Sequence, residues 1–382
     1  MKKAAVAVEE CVVKKERMLA ALETLDQIPV RASLPTSVYV KAEPTAKGVR
    51  MYLSAEVAGY ADVVPLSGKW PFAKTVWLDR RLLFSFCLAA RQIKSKSDFK
   101  FRTQNGELLV ASGSRKLKLA TAVETAGYAA APQGGSAVEV EPQLVAMLQR
   151  AKQCTQAEWS LQELETVMLN PEKNKLALYA TTGMLFFRAE VDSALKLKGP
   201  TPFPLMLIDL LKAKSLAGIE VTQKEVVLVY KHGRLWQSMN AVARKKFPLQ
   251  KFSETVAALR KSSKPSFAVY STALSASLQR LVGYLASVRK LDWILTLQGK
   301  PQDGGRLGLV VKVSGAVFRE SVGLKQPVSA DVDIDWPLDK ISSLLIDIAE
   351  KGRLLEVSFD KQGRAYVKAA SDVEVLVPRR LR

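Results

Sequence analysis

Residues 336–382 read WPLDKISSLLIDIAEKGRLLEVSFDKQGRAYVKAASDVEVLVPRRLR, and their pattern decides the fold. Ile341, Leu344, Leu345 and Ile348 recur at helical spacing, which predicts a helix over residues 338–351. Pro337 precedes it, where a missing N–H costs nothing, and Gly352 follows as a cap. Three short strands are then expected at residues 354–359, 364–369 and 373–377. Asp360-Lys361-Gln362-Gly363 and Ala370-Ser371-Asp372 supply the turns between them. The unit is a helix followed by a three-strand meander.

The unit occurs twice more. Residues 78–92 read as its helix in the first third, with strands at 99–103, 107–112 and 116–123. In the middle third the helix is 204–214 and the strands are 218–222, 225–230 and 235–241. A supersecondary unit returning at roughly 120–135 residues marks an internal array. Each third also carries an earlier helix, at 15–28, 141–153 and 273–288, with its own strands. Every third thus reads strand, helix, three strands, twice over. Ala129–Ser136 and Lys261–Pro265 are the linker candidates, which divides the chain into domains at residues 1–134, 135–262 and 263–382. The fold class expected is α+β, with three tandem domains of two helix-plus-sheet halves each. Equal parts in an arc close into a ring only if copies meet head to tail.

The 57 Lys and Arg residues exceed the 37 acids by 20, so the chain carries a net charge of +20. That balance points to a polyanionic partner, with DNA or RNA ahead of an anionic membrane. Cys11, Cys87 and Cys154 lie far apart without metal-ligand spacing, and each falls in an apolar helix or strand. They read as buried free thiols of a reducing compartment. Residues 1–14 lack the continuous apolar run of a signal peptide, and no stretch approaches the ~20 apolar residues of a membrane span. A cytoplasmic protein is expected, with no membrane partner.

Catalytic signatures are missing from the sequence. It holds no Gly-Lys-Ser/Thr phosphate loop, zinc spacing or nucleophile elbow, so no enzyme, metal or cofactor is expected. His232, the single histidine, sits in a turn beside Gly233. Asp331, Asp333 and Asp335 alternate on one strand and superficially suit a two-metal nuclease. A solvated strand face accounts for the same spacing. The two alternatives kept are that nuclease and a basic protein that coats nucleic acid without encircling it.

In its domain order, and in a few short stretches, the chain resembles the bacterial-type DNA polymerase sliding clamp, the beta subunit of the replicative polymerase. The stretches are Leu108 to Arg115 with the Lys-Leu-Lys-Leu-Ala-Thr that follows, Ala180-Thr181-Thr182-Gly183, the pair Phe247-Pro248, and the ending Val377-Pro378-Arg379-Arg380-Leu381. The resemblance implies a homodimeric ring that encircles double-stranded DNA and tethers a DNA polymerase, a processivity factor with no chemistry of its own. It also implies a pocket that takes short linear peptides from polymerase and clamp loader. Carried to matching positions, that pocket uses Thr181, Gly183, Phe186, Pro248, Val375, Val377, Pro378 and Leu381. Thr182, Met184 and Leu185 depart from the family's polar sequence and make the pocket more apolar. The family is usually acidic, so the basic charge marks a divergent member, in keeping with a phage- or plasmid-borne gene.

Two further sets of residues follow. Cations gather at helix C-terminal ends: Arg91, Lys94, Arg150, Lys152, Lys212, Lys214, Arg289, Lys290, Lys351 and Arg353. They either complement helix dipoles or line a bore facing phosphates. Diffuse charge of this kind attracts a duplex without reading its bases, which sliding requires. Leu117 and Leu119 alternate with lysines on the last strand of the first domain. They suggest a subunit edge pairing with residues 293–297 of a neighbour, Trp293 included.

Overall fold

The computed structural model describes residues 10–26, 39–46, 48–54, 58–64, 67–68, 70–72, 75–91, 97–122, 136–155, 162–183, 185–212, 216–230, 233–262, 265–285, 293–313, 316–338, 353–359, 364–369 and 373–377. Its helices are α1 (Lys15–Asp26), α2 (Arg80–Arg91), α3 (Pro142–Gln153), α4 (Leu205–Leu210), α5 (Ala241–Lys246), α6 (Leu249–Ser262) and α7 (Ser271–Leu285). Contacts divide the chain into two compact units, Met1–Glu139 with Ala213–Ser238, and Val140–Lys212 with Met239–Arg382.

The first unit holds two antiparallel sheets. One has five strands in the order Ser67–Gly68, Glu10–Val13, Phe99–Gln104, Glu107–Ser112 and Arg115–Leu119. The other has eight, in the order Thr121–Ala122, Val76–Asp79, Tyr39–Thr45, Gly48–Ser54, Ala58–Val64, Gly233–Ser238, Glu225–Tyr230 and Leu216–Val221. Trp70 packs beside Phe101, with ring centroids 5.6 Å apart, and both are buried.

The second unit repeats the scheme. Its eight-stranded sheet runs Thr201–Pro204, Thr166–Glu172, Lys175–Thr181, Phe186–Val191, Val373–Val377, Ala365–Ala369, Leu354–Phe359 and Phe267–Tyr270. A four-stranded sheet follows, Ala316–Gly323, Arg306–Val313, Ile294–Gly299 and Val332–Pro337. The apolar stripe of α3, Leu144, Met147, Leu148 and Ala151, is buried against the middle strands of the eight-stranded sheet.

Both eight-stranded sheets join strands from two thirds of the chain, and the junction is built alike each time. Ala58–Val64, the third strand of one meander, pairs antiparallel with Gly233–Ser238, the third strand of another. Phe186–Val191 and Val373–Val377, again third strands, do the same. Sheets therefore run on past the linkers read from sequence, which is why contacts yield two units rather than three segments.

Most expected elements are present, with boundaries shifted by a few residues. The helix expected from residue 78 begins at Arg80 because Val76–Asp79 is strand; Asp79 then accepts a 2.8 Å hydrogen bond from the Leu82 N–H. A helix ending at 262 absorbs Lys261 and Ser262 from the second linker candidate. Helix α6 itself goes beyond the reading above, although Leu249, Phe252, Val256 and Leu259 carry its spacing. The expected helix at 338–351 has only its first residue among the described ones, and His232 lies outside them.

Candidate functional site

The hairpin of Lys175–Thr181 and Phe186–Val191 organises the candidate peptide site, with Thr181 opposite Phe186 in the register. Its turn is held by side chains. Thr181 Oγ1 accepts from the Gly183 N–H at 2.9 Å, and Thr182 Oγ1 accepts from the Leu185 N–H at 2.9 Å. Gly183 has φ 88°, a left-handed conformation that a side chain would strain.

Strand Val373–Val377 lies against this hairpin, so residues nearly two hundred positions apart in sequence become neighbours. The pairs are Phe186 with Leu376 and Phe187 with Val375. That one-residue offset corrects the sequence reading for Val375: its side chain lies on the opposite face from Phe186 and is buried. Thr181 is buried as well, opposite Phe186 on the same face, where its hydroxyl holds the turn. Pro248 is half-buried at the start of α6 and accepts from the Phe252 N–H at 3.0 Å. Val377 lies within the strand, and Pro378 and Leu381 lie outside the described residues.

Helix α6 covers the Phe186 face. Phe252 stacks on Phe186, centroids 5.1 Å apart at 23°, and meets Tyr179 edge-on at 5.4 Å and 89°. Phe252 and Val256, one turn apart, are buried with Met168, Ala177, Tyr179 and Tyr366; Phe186, Phe247 and Leu249 pack against them. Beside the Tyr179 ring is an ionic group. Arg188 Nη2 reaches Glu172 Oε2 at 2.7 Å and also meets Glu190, while Arg188 Nε donates to the Tyr179 hydroxyl at 3.1 Å. That hydroxyl donates to Glu172. Burial opposes the Glu172 charge, but the Tyr179 hydrogen bond and Arg188 outweigh it and hold the carboxyl below its ordinary range. The sequence reading missed Tyr179, Arg188, Glu172 and Phe252, because polar residues at alternate strand positions look the same whether they face water or one another.

The cations divide in the same way. Arg150 and Lys152 occupy the last turn of α3. Lys152 pairs with Asp209 of α4, and Arg150 is half-buried with Nη1 3.9 Å from Met147 Sδ. Lys212 is exposed just past α4, and Arg353 is half-buried. Arg91 closes α2. Lys94, Lys214, Arg289, Lys290 and Lys351 lie outside the described residues.

The subunit-edge reading is corrected at one end of its proposed pair. Arg115–Leu119 is the last strand of its sheet; Leu117 is half-buried and Leu119 is buried. The intended partner strand has no free edge. Ile294–Gly299 pairs with Arg306–Val313 on one side and Val332–Pro337 on the other, and Trp293 is buried within the chain. Alternation of apolar residues reveals a strand's faces, not its rank in the sheet. The edge strands are Ala316–Gly323 and Val332–Pro337; on the first, Val317 is 50% exposed and Phe318 stacks on the exposed Tyr284 at 5.6 Å.

Asp331, Asp333 and Asp335 do not share one solvated face. Asp331 and Asp333 are exposed, whereas Asp335 is buried and accepts a 2.7 Å hydrogen bond from Thr296 Oγ1. Among the described residues no group of three acids, histidines or cysteines gathers as a metal site. Nor, among them, is any helix long and apolar enough to cross a membrane.

No family model and no curated protein sequence matches the chain. Solved structures do. The DNA polymerase III subunit beta of Pseudomonas aeruginosa is 16% identical with a TM-score of 0.80, covering 98% of this chain and 100% of that one. The DNA polymerase sliding clamp of Bacillus subtilis is 13% identical with a TM-score of 0.80 over the same shares, 98% and 100%. That of Caulobacter crescentus is 13% identical at 0.79, again over 98% and 100%. Across nearly its whole length, the chain has the fold of the bacterial DNA polymerase sliding clamps.

Proposed function

We propose that the chain is a subunit of a sliding clamp, a processivity factor that encircles duplex DNA and tethers a polymerase without catalysing a reaction. The observation that carries this reading is the pair of half-sheets. Inside the chain, two meanders join through their third strands to make each eight-stranded sheet. The five-stranded and four-stranded sheets each end on a third strand that pairs on one side only among the described residues, Arg115–Leu119 and Ala316–Gly323. Two copies joined head to tail through these strands would repeat the internal junction and close these two edges. Exposed Arg115, Lys116 and Lys118 flank one edge, and exposed Val317 and Tyr284 flank the other.

In this reading three domains, 1–134, 135–262 and 263–382, form half of the ring. The net charge of +20 supports duplex DNA as the contents, held by many replaceable phosphate contacts. Lys212 and Arg150 belong to that set, with Arg91, Lys94, Lys214, Arg289, Lys290, Lys351 and Arg353. Lys152 contributes less, because Asp209 already neutralises it. Polymerase and clamp loader would attach through short linear segments at the Phe186 face.

Assembly and topology test this reading together. Sedimentation at micromolar concentration should give twice the 42.0 kDa chain mass, and Leu117→Pro should shift it toward the single chain. The assembly should stay on circular DNA and slide off linear DNA. A single chain at every concentration, or equal retention on both DNAs, overturns it.

A further inference from the structure

We infer that α6 is a built-in occupant of the peptide site, and that partners present what α6 presents: an aromatic anchor with an aliphatic side chain one helical turn later. The inference rests on the reading of the Phe186 face as that site. A rim residue meant for a partner's side chain would be free on its outer side. Phe186 instead carries the ring of Phe252, nearly parallel at 5.1 Å. Phe252 is 3% exposed and Val256 3% exposed, so the chain's own helix fills the place.

The slot is shaped for an aromatic ring. Tyr179 offers its face or edge on one side and Phe186 on the other, the two geometries that aromatic pairs favour. Arg188 lies 5.6 Å from the Tyr179 ring and ties its hydroxyl, so the tyrosine cannot swing aside. A preset ring slot of this kind suits a helix-in-groove or short-segment partner. Helix α6 is suited to leaving. It starts at Leu249, just after Pro248, its other face is exposed at Lys251, Glu254 and Ala257, and Phe252 and Val256 are its buried anchors. A partner then binds only the fraction of molecules whose slot is vacant, and its apparent affinity falls by that fraction.

The test uses the full chain and a fluorescein-labelled synthetic peptide of its own residues 247–258. The peptide should bind the Phe252→Ala protein about tenfold or more tightly than wild type, because α6 without its ring anchor leaves the slot open in a larger fraction of molecules. A peptide with alanine in place of Phe252 should not bind either protein. If Phe252→Ala does not fold, Val256→Ala replaces it, and binding severalfold tighter than wild type is expected. Equal affinity for wild type and variant, or binding that ignores loss of the peptide's Phe252 ring, overturns the inference. Failure of the clamp reading shows separately: peptide binding with no retention on circular DNA leaves the slot intact and removes the ring.

Discussion

Arg188 Nη2 stands 2.7 Å from Glu172 Oε2, and its guanidinium lies 5.6 Å from the centre of the Tyr179 ring. Burial works against the arginine's charge, yet the tyrosine hydroxyl and the two carboxylates overcome it and hold its pKa above the ordinary value. Removing the arginine leaves Glu172, Glu190 and Tyr179 crowded without their shared donor. Arg188→Ala should therefore cost about 2–3 kcal/mol, less than a fully buried pair because Glu172 is partly exposed. Urea unfolding measures it; a loss below about 0.5 kcal/mol, the range of ordinary surface changes, would show that the network bears no load.

The same network gives the fold an acid limb. The native Glu172 carboxyl titrates below its ordinary value near 4.5. Such a group stabilises the fold fully above its unfolded pKa and loses that contribution as pH falls through the native one. Glu172→Gln should flatten the drop in urea midpoint below about pH 4.5 and leave the shape of the curve above it unchanged. An unchanged acid limb would assign the loss to other carboxylates, Asp98 beside Lys14 among them.

Burial, joined at Cys11 by the Glu10 charge, silences the cysteines. It pushes the thiols of Cys11 and Cys87 up to about 12, and that of Cys154 up as well. At pH 8 almost none of the reactive thiolate is present. An aromatic disulfide reagent should label none of the three in the native protein and all three in urea. Rapid native labelling of any one contradicts its position in the core.

Gly218 marks a close approach of two chain segments. A Cβ there would meet the Val138 carbonyl oxygen at 2.6 Å, beside the bridge in which Val138 and Ile219 exchange hydrogen bonds of 2.9 and 2.8 Å. Gly218→Ala should push that bridge apart and cost about 1–3 kcal/mol, read as a lowered melting temperature. A melting temperature equal to wild type would mean that residue 138 yields freely.

The repeated meander was legible because its turns and apolar stripes are local: Gly106, at φ 81° between Phe99–Gln104 and Glu107–Ser112, says turn, and the Leu144–Ala151 stripe says helix, without reference to the rest. Strand rank was not local. Nothing in residues 293–297 announces that partners cover both edges, so Ile294–Gly299 read as an edge although it lies between Arg306–Val313 and Val332–Pro337. The face of Val375 likewise depended on a one-residue offset fixed by a strand far away in sequence. Phe252 was a different kind of loss: its helical spacing stood in the sequence, but no element was read between Phe247-Pro248 and the Lys261–Pro265 linker candidate. The departures Thr182, Met184 and Leu185 were visible as letters, whereas the Arg188–Tyr179 support needed the pairing of Tyr179 with Arg188.

The most direct measurement loads the protein onto nicked circular plasmid, isolates the complex by gel filtration, and follows its release after a single restriction cut. A ring threaded on DNA should persist on the closed circle and depart within minutes of cleavage, faster as salt rises. Release at the same rate from cut and uncut plasmid would contradict encirclement and leave only a basic protein that coats DNA.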